Sequence, residues 1–299
     1  GYGYDDFKKI NPKIIYCSGS GYGESGPYLN KPGQDLLLQG ISGLAKNTGR
    51  FSYPPTQLGA GIADQLGSLN MVIGILSALH YRNRTGRGQE IKVDLLSALL
   101  QHQLQEFVAV LNLNQEFKRP DSGVGHPGSG APFGIYKTKD DYITIAVASL
   151  EDLSEILEDE NLKKYSEGPS GAMGSDLQIK KRDEIFHYIE NLTKNHTTEF
   201  LDSKLSEKGC WSAPLKTHKE VYDDPQVKHM DMFTTFSHKH YGKVKTVSPA
   251  VKMSETPTKV SRPVPMIGEH GLEILKEFGY SEDEIDSFIE NEIMSIEKL

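Results

Sequence analysis

The chain has 299 residues, 37% of them hydrophobic, and 33 Lys and Arg against 41 Asp and Glu give it a formal charge of −8. That length allows one large domain or two ordinary ones around a substantial core. The acidic balance, with a pI near 5.7, argues against the basic stripe that a nucleic-acid or anionic-membrane surface requires. Cys17 and Cys210 are the two cysteines, too few for a disulfide framework or a metal cluster, so a reducing cytoplasmic setting is expected. The best apolar run, Met71 to Leu79, is interrupted by Gly74 and reads as too short to span a membrane.

Taken in order, Asp5 to Ile10 reads as a short helix closed by Pro12, because the residue before proline is pushed out of the α region. Lys13 to Ser18 reads as a buried strand running into the glycine-rich stretch Gly19 to Gly23. That stretch lacks G-x-G-x-x-G spacing and reads as a wide turn rather than a phosphate cradle. Leu36, Leu37, Ile41 and Leu44 recur at helical intervals, weakened by Gly40 and Gly43. The next helix opens on Gly59-Ala-Gly-Ile-Ala-Asp64, with Leu66, Leu69, Ile73 and Leu76 as its apolar face. Gly67, Gly74 and Ala78 leave its other faces small. Arg82 to Gly88 is a basic turn suited to a helix C-terminus. Gln89 to Asp94 alternates as a half-buried strand, and Leu95 to Leu113 is a long helical run.

Lys118 to Pro132 is glycine- and proline-rich, the mark of a domain boundary or a functional loop. Phe133 to Thr138 and Tyr142 to Val147 form a hairpin signature across Lys139-Asp-Asp. Glu151 to Leu162 and Asp183 to Lys194 read as amphipathic helices separated by a mobile Ser166 to Ser175 stretch. Trp211 to Leu215 reads as extended, Tyr222 to Lys228 as a turn opening a helix, and Val244 to Val251 and Thr256 to Pro265 as extended and proline-broken. Gly271 to Phe278 and Ser281 to Glu290 close the chain as helices, with Ser281 and Glu284 at capping-box spacing.

No G-x-S-x-G elbow, P-loop or H-E-x-x-H occurs. His229, His238 and His240 read as solvated surface rather than metal ligands, and Cys210 beside Trp211 as core. Asp64 is the one suggestive residue. It reads first as an N-cap, its carboxylate accepting from first-turn amides and facing the positive end of the helix dipole.

Several segments resemble the family III CoA-transferases, whose relatives include formyl-CoA and carnitine CoA-transferases and α-methylacyl-CoA racemase. They are Asn11-Pro-Lys-Ile-Ile-Tyr16, Gly23-Glu-Ser-Gly-Pro-Tyr28, Pro32-Gly-Gln-Asp-Leu-Leu-Leu-Gln-Gly-Ile-Ser-Gly-Leu44, Asp64-Gln-Leu-Gly67 and Arg84-Thr-Gly-Arg-Gly-Gln-Glu-Ile-Lys-Val-Asp-Leu-Leu96. Pro132 to Asp140, Ala213-Pro-Leu215, Asp224 to Val227 and Arg262 to His270 extend the likeness along the chain. The resemblance implies an α/β fold: a Rossmann-like large domain over 1–118, incomplete at its N-terminus, a smaller α/β domain over 119–228, and a return linker with C-terminal helices over 229–299. Two such chains interlock as a homodimer. The likeness begins well inside the family pattern, so a fragment or truncated product lacking about the first hundred residues is expected.

By the same resemblance Asp64 is the catalytic aspartate of an acyl-CoA:carboxylate CoA-transferase. It attacks the thioester and passes through an aspartyl-CoA intermediate, with coenzyme A thioester as substrate and no permanently bound cofactor or metal. Gln34, thirty residues earlier, occupies the position of the racemases' histidine. An amide does not exchange protons at neutral pH, which favours the transferase over the racemase; Glu151, which resembles a racemase glutamate, counts the other way. A catalytically silent CoA-binding homologue is the third reading. Lys31 and Asp35 are assigned to substrate or CoA binding, and Gly123, Gly125, Gly128 and Gly130 to a glycine-rich lid. The substrates are an acyl-CoA and a carboxylic acid, with neither nucleic acid nor membrane as partner.

Overall fold

The computed structural model describes residues 1–113, 116–166, 175–260 and 262–294. The 166–175 stretch read as mobile lies, apart from its two end residues, outside them. Residues 1–215 and 216–299 form two compact units.

In the first unit, helix α1 (Tyr4–Ile10) leads into strand β1 (Ile15–Ser20). Helices α2 (Asp35–Ile41), α3 (Leu44–Asn47) and α4 (Ile62–Thr85) follow, then strand β2 (Gln89–Asp94) and helices α5 (Leu95–His102) and α6 (Leu104–Leu113). β1 and β2 pair in parallel, from Ile15 opposite Gln89 to Ser20 opposite Asp94. α4 is the crossover helix that a parallel pair requires, and it runs antiparallel to β2. A Cβ on Gly67 would come within 2.6 Å of Leu95, just past the end of β2, and one on Gly74 within 2.7 Å of Ile91 in its middle. The N-terminus of α4 therefore sits at the carboxyl ends of the strands, the edge where open α/β sheets bind ligands.

Four expectations need correction here. The face of α4 that packs is its small-residue face, with Ala63, Gly67 and Ala78 buried. Leu69, Ile73 and Leu76, expected as the core face, are 58–61% exposed. Glycine lets the side chains of Leu95 and Ile91 come up against the helix backbone, whereas bulky leucines would hold the helix off the sheet. Leu36, Leu37 and Ile41 of α2 are also exposed, while Asp35, Leu38 and Gln39 face inward. Gly74 does not interrupt the helix: α4 runs 24 residues, long and apolar enough to cross a membrane by length and composition. Its packed face is nevertheless committed to β1, β2 and α5. The Leu95–Leu113 run is two helices, divided at Gln103, whose buried side chain donates to the Ser42 and Leu99 carbonyls.

The same unit continues with β3 (Gly134–Lys137), β4 (Tyr142–Val147) and α7 (Leu150–Ile156). A 3₁₀ turn (Glu160–Tyr165), α8 (Asp176–Lys180), α9 (Arg182–Thr193), α10 (Thr198–Glu207) and β5 (Trp211–Pro214) complete it. The antiparallel order is β3-β4-β5. Alternation turns Tyr136, Ile143 and Ile145 inward, against Leu153 of α7, Ile185, Phe186 and Ile189 of α9, and Leu201 and Leu205 of α10. The Tyr136 and Phe186 rings stack at 4.4 Å.

The second unit holds α11 (His218–Asp223), α12 (Pro225–His229), the hairpin β6 (Phe233–His238) and β7 (Gly242–Val247), α13 (Gly271–Glu277) and α14 (Glu282–Glu290). The Ser281–Glu284 capping box forms as expected. Part of the Val244–Val251 segment is the hairpin strand β7. His238 is not solvated surface: it is 7% exposed, its Nδ1 accepts from the backbone N–H groups of His240 and Tyr241, and its Nε2 donates to the Val264 carbonyl. A histidine used this way holds the hairpin turn, a purely structural task.

Candidate active site

Asp64 lies at the carboxyl edge of the parallel pair, but it is not the N-cap. Gly61 caps α4, Ile62 is the first helical residue and Asp64 the third. The helix start is instead held from a distance of 28 residues. The backbone N–H of Ala63 donates to Asp35 Oδ1 at 2.7 Å, and Gln39 Nε2 donates to Asp35 Oδ2 at 2.6 Å. Gln39 Oε1 in turn accepts from the Leu58 N–H at 2.9 Å. Asp35 and Gln39 are 8% and 1% exposed, so every one of these polar groups needs its partner. Two of the remaining first-turn donors are used locally: Ile62 N–H bonds the Ala60 carbonyl and Gln65 N–H the Gly61 carbonyl. Among the described residues, none accepts from the Asp64 N–H.

The Asp64 side chain is exposed. Its Oδ2 and the Asp35 Cγ lie 3.7 Å and 4.0 Å from the point where a Cβ on Gly61 would sit, so the two carboxyl groups converge on one glycine. Asp35 is thereby placed beside Asp64, in the role of a buried anchor. Its neighbour Gln34 is exposed and N-caps α2, its Oε1 accepting from the Leu36 N–H at 3.0 Å. Lys31 is exposed, with Nζ 4.0 Å from the centre of the Tyr28 ring. α2 starts here because Gly21, just past β1, and Gly33 cross backbone to backbone: a Cβ on either would fall 2.5 Å from the other's Cα.

Glu24 lies within one of the resembling segments, where the sequence assigns it no role. It accepts from Ser18 Oγ at 2.6 Å and pairs with Lys92 Nζ at 2.7 Å. The hydrogen bond from Lys92, with that from Ser18, holds its carboxyl below the usual carboxylate range. This ties the 21–28 loop to both parallel strands. Sequence reasoning overlooks Gln39 as well; its i, i+4 spacing from Asp35 on one helix face is the signal that could have found it.

The glycine-rich loop is docked against its surroundings. Gly125 N–H bonds the Phe133 carbonyl and Ile135 N–H the Gly123 carbonyl. A Cβ on Gly123 would meet Phe186 at 2.5 Å, one on Gly128 Phe117 at 2.8 Å, and one on Gly130 the Gln178 backbone at 2.7 Å. His126 pins the loop to α6: Nδ1 accepts from the Gly128 N–H, so Nε2 donates to Glu106 Oε1, at 2.9 Å. Gly123, Gly125 and His126 help line a cavity of about 500 Å³, mostly apolar through Leu44, Leu58, Val124 and Ile135, with Arg50 and Glu106 also in its lining. Gly128 borders a second cavity of about 490 Å³ that carries Lys118, Arg119, Lys180 and Arg182. Asp64, Asp35, Gln34 and Lys31 line neither. The first cavity is joined to the carboxylate pair by hydrogen bonds, since its wall residue Leu58 donates to Gln39.

Residues 1–271 match the family model described as CoA-transferase family III. The mouse succinyl-CoA:glutarate CoA-transferase is 30% identical over 290 residues, 97% of this chain and 66% of that protein. Its human counterpart is 30% identical, over 93% of this chain and 62% of that protein. The formyl-CoA:oxalate CoA-transferase of Streptomyces coelicolor is 29% identical over 95% of this chain and 72% of its own. Among solved structures, a CAIB/BAIF family protein from Brucella suis superposes with a TM-score of 0.75 at 29% identity, covering 92% of this chain and 71% of that one. The chain thus spans about two thirds or less of the succinyl-CoA:glutarate relatives.

Proposed function

The chain belongs to CoA-transferase family III, and from that premise we propose that it moves coenzyme A from an acyl thioester to a free carboxylic acid through a thioester on Asp64. An Asp64 oxygen attacks the donor's carbonyl carbon and the C–S bond breaks, giving a mixed anhydride and CoA thiolate. The thiolate attacks Asp64 Cγ, releasing the donor acid and leaving aspartyl-CoA. The acceptor carboxylate attacks that carbon, expelling thiolate and forming the second anhydride. Thiolate then attacks the acceptor's carbonyl, which yields the new acyl-CoA and frees Asp64. No metal or resident cofactor enters these steps.

The observation that carries this reading is the position of Asp64. Its carboxyl is exposed in the first turn of a helix whose N-terminus meets the carboxyl edge of a parallel pair, a setting that favours negative charge. The Asp64 N–H, without an acceptor among the described residues, suits a developing oxyanion, which needs donors already in place. Gln34 spends its side-chain oxygen on capping α2, which supports transfer over two-base racemisation. Glutarate and oxalate, named for the relatives, are dicarboxylates, and we take the acceptor to be a short acid of that class. The exposed leucines of α4, with Leu104, Val108 and Leu111 of α6, are the surface an interlocked homodimer would cover. We place the enzyme in the cytosol, where Cys17 and Cys210 remain thiols.

The test is incubation of full-length protein with succinyl-CoA, then hydroxylamine and peptide mass mapping. A hydroxamate on Asp64, absent from Asp64→Asn, is expected, together with CoA transfer to glutarate. Turnover that survives Asp64→Asn would refute the reading. Exchange of a substrate α-proton for deuterium without CoA transfer would point to the racemase instead.

A further inference from the structure

We infer that Asp35 and Gln39 are positioning residues for Asp64: a two-residue brace that holds the first turn of α4 from outside, so that no local cap covers the reacting carboxyl. The inference rests on Asp64 being the nucleophile.

A helix start ordinarily receives its side-chain cap from the N-cap residue itself. Here that residue is Gly61, which has no side chain. A Cβ at this position would already touch Asp64 Oδ2 at 3.7 Å, so the polar end of a serine or aspartate cap would be placed beside the carboxyl that has to meet substrate. The cap is supplied instead by Asp35 on α2, through its bond to the N–H of Ala63, the residue immediately before Asp64. One carboxyl oxygen fixes that amide and the other is fixed by Gln39, whose amide also engages Leu58 and the Ala60 carbonyl on the segment entering α4. The brace therefore grips the chain at positions 58, 60 and 63, on the approach to Asp64 and up to the residue before it.

The pattern of donors and acceptors is directional, and this makes the brace testable. Asp35 accepts twice. Gln39 donates to Asp35 and accepts from Leu58. In Asp35→Asn, the oxygen can still serve Ala63, but the amide nitrogen then faces the Gln39 nitrogen. Turning the Gln39 amide over only moves the donor-to-donor conflict to Leu58. In Gln39→Glu, two carboxyl groups face each other. In the double variant Asp35→Asn/Gln39→Glu, the new amide at position 35 accepts from Ala63 and donates to the new carboxylate at position 39. That carboxylate accepts from Leu58 with its other oxygen. The bonds to Ala63 and Leu58 and the bond between positions 35 and 39 return at unchanged net charge, and the long 3.4 Å bond to the Ala60 carbonyl is the one not restored.

The experiment measures kcat and KM for CoA transfer from succinyl-CoA to glutarate by the full-length protein, together with hydroxamate yield on Asp64. Each single variant is expected to lose about 100-fold in kcat, the penalty of a roughly 1 Å misplacement of a reacting group, with KM within about twofold of wild type. The double variant is expected to return to within about threefold of wild-type kcat. A double variant as slow as Asp35→Asn would overturn the proposal, because the carboxyl at position 35 would then be needed for itself. Single variants that keep full kcat would also overturn it. If the singles do not fold, the double variant decides alone, since it must both fold and turn over. Asp64→Asn is measured in parallel. Activity remaining in that variant brings down the reaction itself, a failure distinct from a double variant that fails while Asp64 proves essential.

Discussion

Replacing Gly21 by alanine tests the contact on which the site is mounted. A Cβ at Gly21 would lie 2.5 Å from Gly33 Cα and 3.3 Å from Gly33 N, where carbon–carbon contacts settle at about 3.5–4.0 Å. The overlap of about 1 Å falls on backbone, which has no rotamer to escape into. Retreat on the Gly21 side is opposed by its carbonyl, which accepts from the Leu96 N–H at 3.1 Å in the first turn of α5. Overpacking of this kind costs about 1–3 kcal/mol, and loss of the Leu96 bond about 0.5–1.5 kcal/mol more. The expected loss is therefore about 2–4 kcal/mol, a large share of the roughly 5–15 kcal/mol that holds a domain together. Urea unfolding at constant m-value measures it, and Gly33→Ala is expected to behave alike because the clash is mutual. Gly40→Ala is the control. Gly40 lies within α2, and no atom comes within 4 Å of the point where its Cβ would sit, so alanine there is expected to stabilise by about 0.5–1 kcal/mol. A Gly21→Ala protein within about 0.5 kcal/mol of wild type would refute the crossing as the mount of α2, since it would fall below the cost of overpacking on backbone.

Other changes probe other parts of the molecule. Gly74→Val is expected to lose about 1–3 kcal/mol in the same urea assay, because its Cβ would fall 2.7 Å from Ile91 Cγ2; an unchanged midpoint would mean that α4 does not pack on β2 through its small face. Phe186→Ala removes a fully buried ring stacked on Tyr136 and is expected to cost about 3–5 kcal/mol, read from thermal or urea unfolding. Burial, with the hydrogen bond to Glu184, pushes the Tyr165 hydroxyl from 10.0 up to about 12. Because the raised value favours the neutral form in the folded state, this contribution is whole below pH 10 and is lost between about pH 10 and 12. Tyr165→Phe is expected to flatten that alkaline limb of the stability profile; an identical limb in both proteins would contradict it. Asp140 is held below the usual carboxylate range by the backbone and hydroxyl of Thr198. Its stabilising contribution is accordingly present above the ordinary carboxylate range and lost as pH falls through its lowered value, a dependence that Asp140→Asn is expected to remove from the acid limb.

Local chemistry determined much of this protein before any tertiary contact was known. The alternation in Tyr142 to Val147 set which residues of β4 face the core, because a strand's side chains change face at every residue. Ser281 and Glu284 specified a helix start from their spacing alone, and the motif blocks around Asp64 specified the family. What a sequence pattern does not carry is the direction in which an amphipathic element turns. Both faces of α4 have helical periodicity, and the sheet chose the glycine and alanine face because there Ile91 and Leu95 fill the space against the helix backbone and pack it closely. The break at Gln103 was equally hidden, since a helical run reads the same until a buried amide draws it toward the Ser42 carbonyl. Asp64 shows the division most sharply. Its place near a helix start was legible in the chain order, but the cap is Asp35, delivered across 28 residues by the crossing of Gly21 and Gly33. A hydrogen bond between residues so far apart exists only once β1, α2 and α4 are assembled, and so the tertiary structure alone decided which carboxyl is buried as the anchor and which is left facing solvent.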